Sequence, residues 1–418
     1  MNQIVAKQNG IIGPIYCSLP DNKLIIPCPW GLRCNKYPKC QYWHNDNMKI
    51  VPLCQYGQKC FNKGKTCFLS HDILNENTPV CKYGLSCYTN GCTKIHPIEA
   101  NKVEMGKCYL LHRAVQCTIN LNPKIFNIII YDSKCIKTSV LEQNFCLNTK
   151  IKMTVDRYIF TPNHIYQIFS NKFIGGGILG HGNVQEEKIM MHSSILQYLL
   201  HGINHANWSP LSNNLEYDPI IIDMAIVAKD NSYSGYKNNL DSPHYGTNGL
   251  MIAHDKQIAD SLYEPIDMPI FIKALCVAVP CFKNYTGICY NDSILEHIFQ
   301  TLYKAFTVAI IANNAELTTT ETHIHIGNIG CGAFGHNYNT IFILQYLALS
   351  CAINFSKSTK EIFVTYHTYD VNTRDQLLQT AVPTLIDFIK SGEKSIKTIL
   401  SEIRQKQVMS PDSWAKKL

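Results

Sequence analysis

From about residue 105 onward, short runs rich in Ile and Val alternate with longer stretches whose apolar residues recur three or four positions apart. The short runs predict strands at 125–131 (IFNIIIY), 164–169 (HIYQIF), 219–228 (PIIIDMAIVA), 270–279 (IFIKALCVAV), 322–327 (THIHIG) and 361–366 (EIFVTY). The helical period predicts helices over 186–202, 293–306, 340–353, 375–390 and 393–407. Near-continuous apolar strands belong to sheets buried on both faces, so the alternation predicts an α/β fold with helices covering the sheet. Ahead of this region the texture is different. The chain divides into a tail over 1–24, a cysteine-rich segment over 25–100 and the α/β domain over 105–418.

A chain of 418 residues has room for two or three domains, and 46% hydrophobic content supplies a sizeable core. No apolar run approaches the roughly eighteen residues of a membrane span, and the N-terminus shows no charged-then-apolar leader pattern. The expectation is an intracellular protein, nuclear or cytoplasmic, with no membrane partner. Residues 1–100 hold 11 Lys and Arg against 5 Asp and Glu, a net +6 of the chain's +7. That asymmetry points to a polyanionic partner for the N-terminal part. Ten of the 19 cysteines also lie before residue 100, which reads as metal binding in a chain without a secretory signal.

Nine of those ten cysteines, all but Cys17, form an internal repeat. The copies are Cys28, Cys34, Cys40, His44; Cys54, Cys60, Cys67, His71; and Cys81, Cys87, Cys92, His96. The spacing is C-x5-C, then x5, x6 or x4 to the third Cys, then x3 to His, and nine residues separate each His from the next copy. Three thiolates and an imidazole make the donor set of a closed tetrahedral zinc site, so three structural zinc ions are expected. Units this short bury too little to fold alone, and zinc binding would supply about 10–16 kcal/mol to each. The repeat resembles the CCCH zinc-finger family, in detail the subgroup that binds polyadenosine RNA. Aromatic residues such as Trp30, Tyr42, Trp43, Tyr56 and Tyr83 lie between the ligands with Arg33 and several lysines. Rings that stack bases beside cations that follow phosphates suit RNA or a related polymer; a protein contact or a miniature core also accounts for the rings.

Two glycine-rich loops lie between a predicted strand and a predicted helix. The first is FIGGGILGHGNVQEE, in which Gly175, Gly176 and Gly177 are followed, after seven residues, by Gln185, Glu186 and Glu187. The second is GNIGCGAFG, residues 327 to 335. Backbone without Cβ atoms lets N–H groups approach a phosphate, so the two loops together predict a ligand with a diphosphate and sugars. Adjacent glutamates beside bare backbone suit general acid–base work on a glycosidic bond.

The pattern GGG-x7-QEE followed by GN-x-GCGAFG resembles the poly(ADP-ribose) glycohydrolase family over roughly residues 160–370. The resemblance implies a macrodomain-like three-layer α/β/α sandwich, binding of poly(ADP-ribose), and hydrolysis of its ribose–ribose O-glycosidic bonds without a catalytic cofactor. It implies that Glu187 is the catalytic acid and that Glu186 positions the ribose. It assigns ligand contacts to Asn171, Gly175, Gly176, Gly177, Tyr236, Asn328, Gly332, Ala333 and Phe334, with Gln185 grouped among them. A glutamate beside a second one is expected to have its acid form favoured. The chain departs from the family at Ile168, where an Asp is usual, at Ile329, where Trp is usual, and at His336-Asn337, where Gly-Asp is usual. Two other readings fit the same residues: a non-catalytic ADP-ribose reader that binds RNA, and a mono(ADP-ribosyl) hydrolase. His323 and His325 read as structural histidines, and Cys331 as packing.

Overall fold

The computed structural model describes residues 14–17, 24–27, 42–43, 114, 128–132, 140–143, 150–171, 174–178, 182, 184–195, 219–230, 263–282, 290–314, 320–332, 334–390 and 394–405. The twelve expected zinc ligands, Tyr236 and Ala333 lie outside that set.

The strands are β1 (Pro14–Cys17), β2 (Leu24–Pro27), β3 (Tyr42–Trp43), β4 (Ile128–Asp132), β5 (Ile151–Thr154), β6 (Ile165–Phe169), β7 (Ile220–Asp230), β8 (Tyr263–Val277), β9 (Glu321–Gly327) and β10 (Glu361–His367). Eight of them form one mixed sheet in the order β1-β4-β7-β8-β6-β9-β10-β5. From β8 to β5 every pairing is parallel, while β7, β4 and β1 add on antiparallel. β2 and β3 form a separate two-stranded ladder. The expected N-terminal tail therefore contributes β1, an edge strand of the large sheet. β5 is a further strand that the hydrophobic pattern missed, because three of its residues are only half-buried and Lys152 is exposed.

The helices are α1 (Gln185–Met191), α2 (Asp292–Asn314), α3 (Tyr338–Ser356), α4 (Val371–Gln376), α5 (Val382–Lys390) and α6 (Ile396–Gln405), with a π-helical turn at Leu377–Ala381 between α4 and α5. α1 is much shorter than the predicted 186–202, because the chain turns at His192 and Ser193 bridges to Ile226 of β7. α2 and α3 are long and apolar enough to cross a membrane by length and composition, contrary to expectation, but both are largely buried core helices. They pack on one sheet face, where Ile165, Ile221, Leu275, Val277, Ile324 and Ile326 join their apolar residues in one core. α6 closes the same core with Ile396, Ile399, Leu400 and Ile403, a one-sided stripe worth about 1.5–3 kcal/mol per buried side chain. α1 lies on the opposite face. The described elements thus give an α/β fold with helices on both sides of a mixed sheet.

This arrangement places the two glycine loops side by side. The chain leaves β6 toward α1 on one face and leaves β9 toward α3 on the other, while β6 and β9 are neighbours. Such a switch point opens a crevice at the carboxyl ends of parallel strands.

Candidate active site

The first loop is stapled to α1 by the three side chains that open the helix. Gln185 Oε1 accepts the Phe169 N–H at 2.9 Å, and its Nε2 donates to the Gln167 carbonyl at 2.9 Å. Glu186 Oε2 accepts from Asn171 N–H at 2.9 Å and Oε1 from Gly175 N–H at 2.8 Å. Glu187 Oε1 accepts from Gly177 N–H at 2.8 Å, and its Oε2 reaches back to the N-cap Val184 N–H at 3.1 Å. Both carboxyl groups are buried, at 2% and 5% exposure, yet backbone N–H groups and glycines surround them rather than hydrocarbon.

The glycines are required by this packing. Gly175 and Gly176 have φ of 90° and 48°. A Cβ on Gly176 would stand 2.6 Å from both Glu186 Oε2 and Glu187 Oε1. A Cβ on Gly177 would meet Gly182 N at 2.7 Å, and one on Gly182 would strike Glu187 Oε1 itself. Gly182 is a constraint that sequence reasoning missed; the signal was the further glycines in GGGILGHG.

Burial holds Glu186 well above the usual carboxylate range, and the neighbouring Glu187 charge adds to it, while the Asn171 and Gly175 N–H groups pull the other way. Cys276, fully buried next to Glu186, has its thiol pushed up by burial and is no nucleophile.

The second loop is pinned differently. Asn328 spends both ends of its amide inside the protein: Nδ2 donates to the Thr368 carbonyl at 2.9 Å, and Oδ1 accepts from Tyr366 OH at 3.0 Å. Its role is to anchor the loop to β10, and Gln185 likewise anchors α1 to β6, so neither amide is aimed at a ligand. Gly332 is exposed, with nothing within 4 Å of where a Cβ would lie, and Phe334 is half-buried against the core. Asn171 is exposed at the rim of the first loop. The N–H groups of Gly176, Gly330, Gly332 and Phe334 meet no acceptor among the described residues. Those are the donors a diphosphate would use.

The departures from the family pattern are core residues. Ile168 and Ile329 are 0% and 1% exposed. His336 Nε2 donates to the Pro280 carbonyl at 2.6 Å, which makes Nδ1 the acceptor for Tyr290 OH at 2.9 Å; that hydroxyl in turn accepts the Asn337 N–H at 3.0 Å. Burial lowers His336 to about 4, so the ring is neutral. Gly330, at φ 72°, is bare because a Cβ would lie 2.6 Å from that ring. Asn337 caps α3, its Oδ1 accepting from Thr340 N–H at 3.0 Å. Cys331 packs inward, its thiol toward the Ile329 carbonyl at 3.6 Å.

Four further histidines, His164, His323, His325 and His367, form a row at the start of β6 and along β9 and β10. His164 Nδ1 meets His325 Nε2 at 3.0 Å, His325 Nδ1 meets His367 Nε2 at 3.0 Å, and His367 Nδ1 donates to the Asp156 carbonyl at 2.8 Å. His323 pairs with Glu321 at 2.8 Å and stacks on His164. No group of metal-ligating side chains occurs among the described residues.

No protein-family model and no curated protein matches this sequence. Solved structures do match. Among them, poly(ADP-ribose) glycohydrolase from Thermomonospora curvata is 12% identical with a TM-score of 0.36, covering 65% of this chain and 94% of that one. Its complex with the inhibitor ADP-HPD gives the same figures. Poly(ADP-ribose) glycohydrolase from Deinococcus radiodurans in complex with ADP-ribose is 13% identical with a TM-score of 0.34, covering 55% of this chain and 84% of that one. At that level of similarity, function must be argued from this chain's own residues.

Proposed function

We propose that the chain hydrolyses the ribose–ribose O-glycosidic bonds of poly(ADP-ribose), releasing ADP-ribose. One observation carries the reading: two adjacent buried carboxyl groups, one favoured as the acid, are built into a glycine turn that faces a second loop with unpaired backbone donors. A diphosphate would lie along the N–H groups of Gly330, Gly332 and Phe334, bringing the ribose against the bare backbone of Gly175, Gly176 and Gly177. Glu187, as the general acid, gives a proton to the departing ribose oxygen as the C–O bond breaks. The resulting carboxylate then takes a proton from the water that adds to the oxocarbenium carbon. General acid–base help of this kind is worth about 10²–10⁴-fold in rate. Tyr236 and Ala333 complete the proposed ligand contacts, on the family resemblance alone.

The cysteine-rich segment is proposed to hold three zinc ions through its three Cys₃His sets and to bind RNA or the polymer. The donor chemistry and the net charge of +6 over residues 1–100 support it. The ladder of β2 and β3 also pairs Pro27 with Trp43, the residues that immediately precede Cys28 and His44.

A non-catalytic reader is favoured by one feature: both Glu187 oxygens already accept backbone N–H bonds. Incubating the purified chain with poly(ADP-ribose) and with a singly ADP-ribosylated protein separates the readings. Shortened chains and free ADP-ribose support the proposal. Release only from the singly modified protein selects mono(ADP-ribosyl) hydrolysis, and ADP-ribose binding with no release selects the reader.

A further inference from the structure

The ladder between β6 and β9 stops at Tyr166 opposite His325, although β6 runs on to Phe169 and β9 to Gly327. Side chains bridge the gap that follows. Gln167, fully buried on β6, accepts the Gly327 N–H through Oε1 at 3.2 Å. Gln345 of α3 donates Nε2 to the Gly327 carbonyl at 2.8 Å, so glutamines hold the two peptide groups on either side of the Gly327 Cα. The carbonyl of Gln167 also accepts Gln185 Nε2, at the start of the helix that carries both glutamates. Gly327 is wedged as well: a Cβ there would lie 2.8 Å from the His367 carbonyl oxygen and 3.0 Å from the Phe169 ring. Gln167 therefore touches both halves of the crevice, through its main chain on one side and its side chain on the other.

We infer that Gln167 is a positioning residue that sets the spacing between the two glycine loops, and with it the placement of a bound diphosphate against the carboxyl pair. This rests on the ADP-ribose reading above. A neutral group suits this fully buried position, since it satisfies the Gly327 N–H without burying a charge. The sequence signal was a lone polar residue inside the apolar run HIYQIF.

The test uses Gln167→Met and Gln167→Glu in the full chain. Gln167 Nε2 meets no acceptor among the described residues, so Met of similar length removes one hydrogen bond and little else. Glu, which burial at this position holds as the neutral acid, keeps an oxygen facing Gly327. With Gln167→Met, ADP-ribose affinity and KM for poly(ADP-ribose) are expected to worsen about tenfold while kcat stays within threefold, and Gln167→Glu restores most of the affinity. Amide hydrogen exchange supplies a ligand-free readout: Gln167→Met should speed exchange over 328–336 and leave 174–191 protected. Unchanged exchange in the second loop, or a loss confined to kcat, overturns the inference. Should wild-type protein bind no ADP-ribose while exchange still changes only in the second loop, the clamp stands and the functional reading falls.

Discussion

At the residue scale, the glycines of the two loops do different work. Gly176 combines φ of 48° with a Cβ position 2.6 Å from two carboxyl oxygens. Gly176→Ala should cost about 1–3 kcal/mol of stability and abolish turnover, because the strain falls on the loop that both glutamates hold. Gly332 lies in open space, so Gly332→Ala should change stability by less than about 0.5 kcal/mol. It should still weaken ADP-ribose binding if a diphosphate passes over that backbone. Urea denaturation and calorimetric titration of both variants check the contrast; a Gly332→Ala variant with unaltered affinity takes the ligand away from that loop. Sequence showed the glycines and the glutamates but not which carboxyl group is raised. That depends on burial and on which N–H groups each oxygen meets, and neither is local in the chain.

At the element scale, strands and core helices were legible because their burial is continuous. The helical period found α2, α3 and α6, and the apolar runs found β6, β7, β8, β9 and β10. What escaped was decided by distant partners: α1 ends early because Ser193 pairs with β7, and β5 joins the sheet only by pairing with β10. The roles of His336 and Asn337 were likewise invisible before Tyr290 and the Pro280 carbonyl were placed beside them. As the side-chain cap of α3, Asn337 is expected to be worth about 1–2 kcal/mol, so Asn337→Ala should lower the urea midpoint with an unchanged slope. A variant as stable as wild type would remove the cap from the account.

At the scale of the whole molecule, stability should fall in mild acid. Burial, as the leading cause, lowers His164 and His336 to about 4, His325 to about 3, and His367 below its ordinary value. A histidine lowered in the folded state is neutral there while the unfolded chain binds a proton. Stability is then complete above about pH 6.5 and is lost as pH falls toward 4. The most buried of them, His336, accounts for about 3 kcal/mol of that loss on a shift from 6.5 to about 4. Glu186 acts in the opposite sense: its contribution is complete below the usual carboxylate range and is lost as pH climbs from there through its raised value. Denaturation midpoints at pH 7.5, 6 and 5 should therefore decline stepwise, and His336→Gln should flatten the decline. A flat profile in wild type contradicts the neutral assignment. Metal analysis should return three zinc ions per chain, and chelation should release retained poly(A) or poly(ADP-ribose); full retention after chelation argues against zinc-dependent binding.

The central claim is that the Glu186–Glu187 pair supplies the proton for breaking the inter-ribose bond. Single-turnover release of ADP-ribose from poly(ADP-ribose), with enzyme in excess, tests it for wild type and Glu187→Gln. The account predicts a rate reduced about 10²–10⁴-fold in Glu187→Gln while the polymer still binds. Equal rates in the two proteins would contradict it.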